Sequence, residues 1–245
     1  YKLRSKIEIK NISTEYVIGL ITLEKFTDEI INYLLKYKLR SKIEIKNIST
    51  EYVIGLITSE KFADIQTSEN KTGDTIEFRD SPLFLDPRNK KLGARILSSL
   101  EKLHLTIKKL DLKIVEPNAY FAKAHSLGIP IKGIENLKDQ LFGLEANFEK
   151  LNAIDFKKGC YIGQENTARM KLKEKLRRRL LPISSSEKLK LGDEIFYNKT
   201  KIGKIIIEQP YPFGLIKISE HSLEELKNKQ LLANTKQCKI LKSVK

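Results

Sequence analysis

The strongest constraint on this chain is a repeat. Residues 1–22 read YKLRSKIEIKNISTEYVIGLIT, and residues 37–58 read the same without a change. The likeness continues through Glu24-Lys25-Phe26 and Glu60-Lys61-Phe62, then fades after Asp28 and Asp64. Within each copy Ile7 and Ile9 (Ile43 and Ile45) alternate with polar residues, as on a half-buried strand. The run from Tyr16 to Ile21 (Tyr52 to Ile57) is apolar enough for a central strand, and Asn11, Ser13 and Thr14 turn the chain between the two. Between the copies Thr27 can cap a helix whose Ile30, Ile31, Leu34 and Leu35 recur at helical spacing. Solenoids show degenerate similarity over three or more units. Two identical copies without a third point instead to a recent duplication, or to an error in the gene model.

Beyond the repeat, residues 60–79 are polar and loop-rich, with Gly73-Asp74 as a turn. Leu83-Phe84-Leu85 reads as a short strand closed by Asp86-Pro87-Arg88. Leu92 to Leu105 reads as a helix with Ile96, Leu97, Leu100 and Leu103 on one side. Asn118 to Gly128 reads as another, bearing Tyr120, Ala124 and Leu127, and Pro130 prevents its continuation. His125 lies on that helix as a single histidine and reads as a packed or solvated residue, not a ligand. From Ser184 onward, turn signals at Ser184-Ser185-Ser186, Gly192-Asp193, Asn198-Lys199 and Pro210-Tyr211-Pro212 separate short apolar runs. Those runs predict a small β-barrel or sandwich. Residues 219–229 add a helix, and the tail with Cys238 returns as a last strand.

Charge and cysteine usage narrow the function. The formal net charge is +15 and the sequence pI about 9.6, which suits nucleic acid or an anionic ligand. The lysines are spread through the whole chain, however. The most basic run, Lys171 to Arg179, leads into the apolar Leu180-Leu181, so a solvated approach to a strand is favoured over an RNA surface. Two cysteines and three scattered histidines do not make a closed metal site, for which local ligand spacing is the usual mark. No metal is expected, nor a Cys160–Cys238 disulfide in a reducing compartment. No apolar run approaches the roughly 20 residues that span a bilayer. No secretory signal follows Tyr1. The chain therefore reads as cytoplasmic, without a membrane partner.

Chemistry concentrates in Lys157-Lys158-Gly159-Cys160-Tyr161-Ile162-Gly163-Gln164-Glu165-Asn166-Thr167-Ala168-Arg169. A thiol stands beside two lysines and between two glycines. Gly163 can precede a helix opening with Gln164 and Glu165, where acidic groups suit the positive helix end. Such surroundings favour the thiolate, the nucleophilic and metal-binding form. A buried structural cysteine at a tight turn is the plainer alternative.

At these residues the chain resembles the YgfZ family, folate-binding proteins of iron–sulfur cluster assembly and repair related to the glycine cleavage T protein, an aminomethyltransferase. The K-G-C-Y-x-G-Q-E-x-x-x-R run carries the resemblance, and D-P-R (Asp86 to Arg88) with L-G-x-R (Leu92 to Arg95) supports it. The resemblance implies an α+β aminomethyltransferase-like folate-binding body followed by a small C-terminal β-barrel. On this reading residues 1–72 form a partial N-terminal domain made of the duplicated strand-strand-helix segment. Residues 73–175 form the folate-binding-type domain, and residues 176–245 the barrel. Cys160 is the candidate catalytic residue, supported by Lys158, Gly159, Tyr161, Gly163, Gln164, Glu165 and Arg169. Glu145, Asn147, Arg88 and Arg95 are the candidate folate contacts.

Family members carry an earlier segment of the type G-x-x-x-x-x-F-L-Q-G-x-x-T-N-D that contributes much of the folate pocket. Here a second copy of a later segment stands in its place, so the resemblance implies an N-terminally truncated chain with an incomplete tetrahydrofolate pocket. The fold implied is a transferase's. The role implied is that of a non-classical accessory factor using tetrahydrofolate, with iron–sulfur client enzymes, including tRNA-modifying ones, or assembly proteins as partners. A true aminomethyltransferase and a basic RNA-binding module are the alternatives.

Overall fold

The computed structural model describes residues 26–65, 71–160, 163–172, 176–218, 223–227 and 229–241, and the backbone of 5–11 and 17–22. The chain forms two compact units. The first comprises residues 1–86 and 93–114, the second residues 87–92 and 115–245.

In the first unit the two copies of the repeat take different partners. Strands β1 (Ser5–Asn11) and β2 (Val17–Thr22) pair antiparallel with each other. After helix α1 (Thr27–Lys38), strand β3 (Ile43–Asn47) joins the far side of β1 to give the order β2-β1-β3. Strand β4 (Val53–Ile57) does not fold back on β3. It leads instead into helix α2 (Ser59–Ile65) and edges a second antiparallel sheet. That sheet has the order β4-β7-β6-β5, with β5 at Thr75–Glu77, β6 at Pro82–Leu85 and β7 at Ala94–Ser98. Its buried side is closed by Ile57, Phe62, Leu83, Leu85, Ala94 and Ile96, with Leu103 and Leu112 packed against them.

The helix read from Leu92 to Leu105 is corrected here. Residues 94–98 are strand β7, and helix α3 runs only over Leu100–Lys109. Ala94, Ile96 and Ser98 are buried in alternation, and β7 is paired on both sides, by β4 and by β6. Two ladders of hydrogen bonds outweigh the helical spacing of Ile96, Leu97, Leu100 and Leu103. Ser99 marks the change of structure, since its hydroxyl accepts the Lys102 N–H at 3.3 Å as an N-cap. Gly93 fixes the entry to β7. It has φ +85°, and a Cβ there would stand 1.9 Å from the Ile57 carbonyl oxygen.

The second unit begins with helix α4 (Pro117–Ser126), which opens on proline at its first turn. Leu92, Ala124 and Ile129 form a small core around it with Tyr120 and Leu151. Residues 138–160 are irregular and lead to helix α5 (Gln164–Leu172). The chain then closes a six-stranded antiparallel barrel in the order β10-β11-β8-β13-β12-β9. Its strands are β8 (Arg178–Ser185), β9 (Glu194–Tyr197), β10 (Thr200–Ile207), β11 (Phe213–Lys217), β12 (Leu231–Ala233) and β13 (Lys236–Ile240), with helix α6 (Leu223–Lys227) before β12. Leu181, Ile183, Ile195, Ile205, Ile216 and Leu231 are among the side chains that fill it. The expected C-terminal barrel is thus present as a closed one, which leaves no exposed sheet edge.

His125 sits at 0% exposure in this unit. Its Nδ1 lies 3.0 Å from the Tyr211 carbonyl, and its Nε2 accepts the N–H groups of Ile131 at 3.1 Å and Lys132 at 3.2 Å. A carbonyl only accepts and an amide N–H only donates, so the proton belongs on Nδ1. Burial above all, and then Lys132, holds the imidazole below its ordinary pKa, against the opposing hydrogen bond to Tyr211 and the charge of Glu135. His125 is a packing and hydrogen-bonding post, with Phe213 edge-on at 5.1 Å.

Candidate functional site

Each site residue predicted from the sequence has a definite place, except Tyr161, which lies outside the described residues. Lys157, Lys158, Gly159 and Cys160 are all exposed, in a loop without regular structure. The Asp155 carboxylate accepts the Lys157 N–H at 2.8 Å and shapes the approach. Gly163 has φ +84°, the left-handed region that favours glycine, and a Cβ added there would meet no atom within 4 Å among the described residues. Helix α5 follows at once with Gln164 and then Glu165 in its first turn, while Arg169 and Lys171 stand in its last. These charges agree with the helix dipole at both ends. None of the described side chains of α5 is buried. The helix is tethered at its far end, where Lys171 pairs with Glu149 and lies 5.6 Å from the centre of the Phe156 ring.

Glu145 and Asn147 occupy the opposite environment. Leu144, Glu145, Ala146 and Asn147 are all buried. The Glu145 carboxylate accepts Arg178 Nε at 2.9 Å and Nη2 at 3.1 Å, and its Oε2 also accepts the Phe142 N–H at 3.1 Å. The Glu145 carbonyl accepts the Leu180 N–H at 2.9 Å. Asn147, at φ +61°, donates from Nδ2 to the Leu180 carbonyl at 2.7 Å. Both residues therefore clamp the start of β8. Asn147 keeps one atom in reserve: its Oδ1 is buried and has no hydrogen-bond partner among the described residues.

Arg88 and Arg95 fall in different units. Arg88, in the second, donates from Nη2 to the Tyr120 hydroxyl at 3.1 Å. Arg95, in the first, donates from Nη2 to Asp86 at 2.8 Å, and the Asp86 side chain is only 1% exposed. The Asp86 N–H in turn donates to the Gly93 carbonyl at 2.9 Å. Within that unit the D-P-R and L-G-x-R segments thus meet as a clasp, through Asp86 with Gly93 and Arg95.

Sequence reasoning missed Arg178 as the partner of Glu145. The signal was available: a carboxylate between Leu144 and Ala146 needs a cation, and Arg178 directly precedes an apolar strand. Arg179, next to it, is also drawn in, and desolvation first of all lowers its pKa despite the compensating Glu149. Among the described residues no three His, Cys, Asp or Glu side chains gather as a metal site.

No family model matches the chain. Curated relatives do. An iron–sulfur cluster assembly factor IBA57 homologue of Pyricularia oryzae is 35% identical over 97 residues, covering 40% of this chain and 24% of its own length. The Dictyostelium discoideum homologue is 31% identical over 132 residues, covering 51% and 32%. The mouse factor is 32% identical over 119 residues, covering 48% and 32%. Over these stretches the chain is similar to IBA57 iron–sulfur cluster assembly factors. The matches span no more than a third of these relatives' length. The fold is that of the glycine cleavage T protein: the aminomethyltransferase T of Bartonella henselae superposes with TM-score 0.62 at 13% identity, covering 93% of this chain and 68% of that one. One expectation is overturned. The relatives carry mitochondrial names, which contradicts the cytoplasmic reading.

Proposed function

We propose that this chain is an accessory protein for assembly or repair of iron–sulfur clusters, working in mitochondria, with Cys160 as its key residue. The observation that supports this most is the presentation of the K-G-C-Y-I-G-Q-E run. An exposed thiol and three exposed neighbours stand ahead of a helix with no buried side chain described, on a chain whose relatives are named as iron–sulfur assembly factors. A sulfur in that position is open to a partner protein or a cluster, as cargo, and its thiolate is the form that binds iron or attacks. Lys158, Gly159, Gly163, Gln164, Glu165 and Arg169 shape the surface around it. The clients are iron–sulfur enzymes, including those that modify tRNA.

Tetrahydrofolate is the small molecule we assign to the second unit. One observation favours the fit: Asn147 Oδ1 is a buried acceptor left without a donor among the described residues, next to the saturated carboxylate of Glu145. A pterin ring carries N–H donors of the kind that acceptor lacks. Asn147 would hold the ring, with Glu145 and Arg178 keeping that asparagine in place, and the cofactor would supply one-carbon chemistry. Cys160→Ala decides the central claim. In a strain lacking the protein, the variant should fail to restore the activity of iron–sulfur enzymes while accumulating to the wild-type level. Full rescue would overturn the role of Cys160.

A further inference from the structure

The pairing of β1 with β3 joins two copies of one sequence, and its register is symmetric. Ile9 stands opposite Ile45, the same position of the repeat. Ile7 is in register with Asn47 and Asn11 with Ile43, so exchanging the two strands reproduces the same register. The register also sets Glu8 opposite Lys46 and Lys10 opposite Glu44. Opposite charges directly across a ladder stabilise it, and like charges oppose it. The segment IEIKN is thus complementary to itself in antiparallel pairing. This is the property that an isologous two-fold interface requires.

We propose that Ile43–Asn47 is a self-pairing strand whose partner is any second copy of IEIKN. In this chain the first copy fills the place. When that copy is disfavoured, the same strand of a second molecule takes it, giving a two-fold dimer centred on Ile45. The covered edge of β3 is therefore a homotypic interface already satisfied within one chain. A duplicated segment is what converts such a contact from intermolecular to intramolecular, because the tether raises its effective concentration.

The full chain can test this through charge. In the double variant Glu44→Lys/Lys46→Glu, β1 and β3 oppose like charges at both positions, whereas two β3 strands from different molecules remain complementary. The double variant should show at least a roughly tenfold larger dimer fraction than the wild type in light scattering across a concentration series. Adding Glu8→Lys/Lys10→Glu restores the internal match and should return the chain to the wild-type mass. Register is read separately. In a Cys160→Ser background, Ile45→Cys added to the double variant should oxidise to a covalent dimer, because residue 45 then faces itself. A double variant with the mass of the wild type at every concentration overturns the proposal. So does a quadruple variant that dimerises as strongly as the double one, or a dimer that Ile45→Cys does not cross-link.

Discussion

Two short segments of the second unit, separated by nine residues, stand in opposite conditions. In Leu144–Asn147 every residue is at most 7% exposed, whereas Lys157–Cys160 are exposed throughout. Burial imposes obligations. A carboxylate taken from water must be paired and hydrogen-bonded, and Glu145 meets this with both arms of Arg178 and the Phe142 amide. An exposed residue has no such obligation, and its identity is free as far as folding is concerned. Glu145 and Asn147 thus have a structural reason to be what they are, apart from any ligand. Gly159 and Cys160 are exposed and carry no burial obligation of that kind, which is what supports the functional role proposed for their loop.

The comparison is broken most forcefully at Glu145. Glu145→Ala removes the buried partner of Arg178 and the acceptor of the Phe142 N–H. Because the Arg178 side chain is 40% exposed, water takes over part of its charge, so the full cost of a broken buried pair does not apply. The expected loss is about 2–3 kcal/mol, read from urea unfolding of the second unit. A change below about 0.5 kcal/mol, the size of an ordinary surface substitution, would show that the clamp on β8 does not matter.

His125 sharpens the same contrast through pH. Its folded pKa is lowered, chiefly by burial, from the ordinary 6.5. The unfolded chain therefore takes up this proton first as pH falls. The stability His125 contributes is complete above about pH 6.5 and is lost as pH drops toward its folded pKa. The wild type should therefore begin to lose stability as pH falls below about 6.5. His125→Gln, which has no proton to take up, should show a flatter profile. Equal slopes in the two proteins would place the imidazole's charge change elsewhere.

How much of this was readable beforehand follows from what each feature depends on. The closed barrel was legible because its turns and apolar runs are local signals, and so was helix α4. Strand β7 was misread because Ile96, Leu97, Leu100 and Leu103 satisfy helical spacing, and only pairing with β4 and β6 decides otherwise. The repeat marks the limit of local reading. Identical residues form a hairpin in the first copy, and in the second they are divided between two sheets. Nothing inside the repeat can encode that difference. It comes from β7, which offers β4 an edge lined by Ala94 to Ser98. The Cys160 loop was legible by its composition, whereas the grip of Arg178 on Glu145 spans 33 residues and appears only in three dimensions.

The smallest effect on stability should come from the two thiols, and it also gives the sharpest contrast in accessibility. Cys238 lies on β13 at 4% exposure, and burial pushes its pKa up to about 11. At pH 8 it is both protonated and shielded, so it should react with an alkylating reagent only through opening of the barrel. Cys160 is exposed and needs no such opening. One equivalent of thiol per chain should therefore be modified in the native protein, and two in denaturant. Peptide mapping should place the native label on Cys160. Cys160→Ser should leave the unfolding midpoint within about 0.5 kcal/mol of wild type, as expected where no packing is lost. Native labelling at Cys238, or a Cys160→Ser variant as destabilised as Glu145→Ala, would erase the distinction between the buried and the exposed segment. With the distinction intact, any defect of Cys160 variants in iron–sulfur enzyme activity belongs to the chemistry of the sulfur and not to the fold.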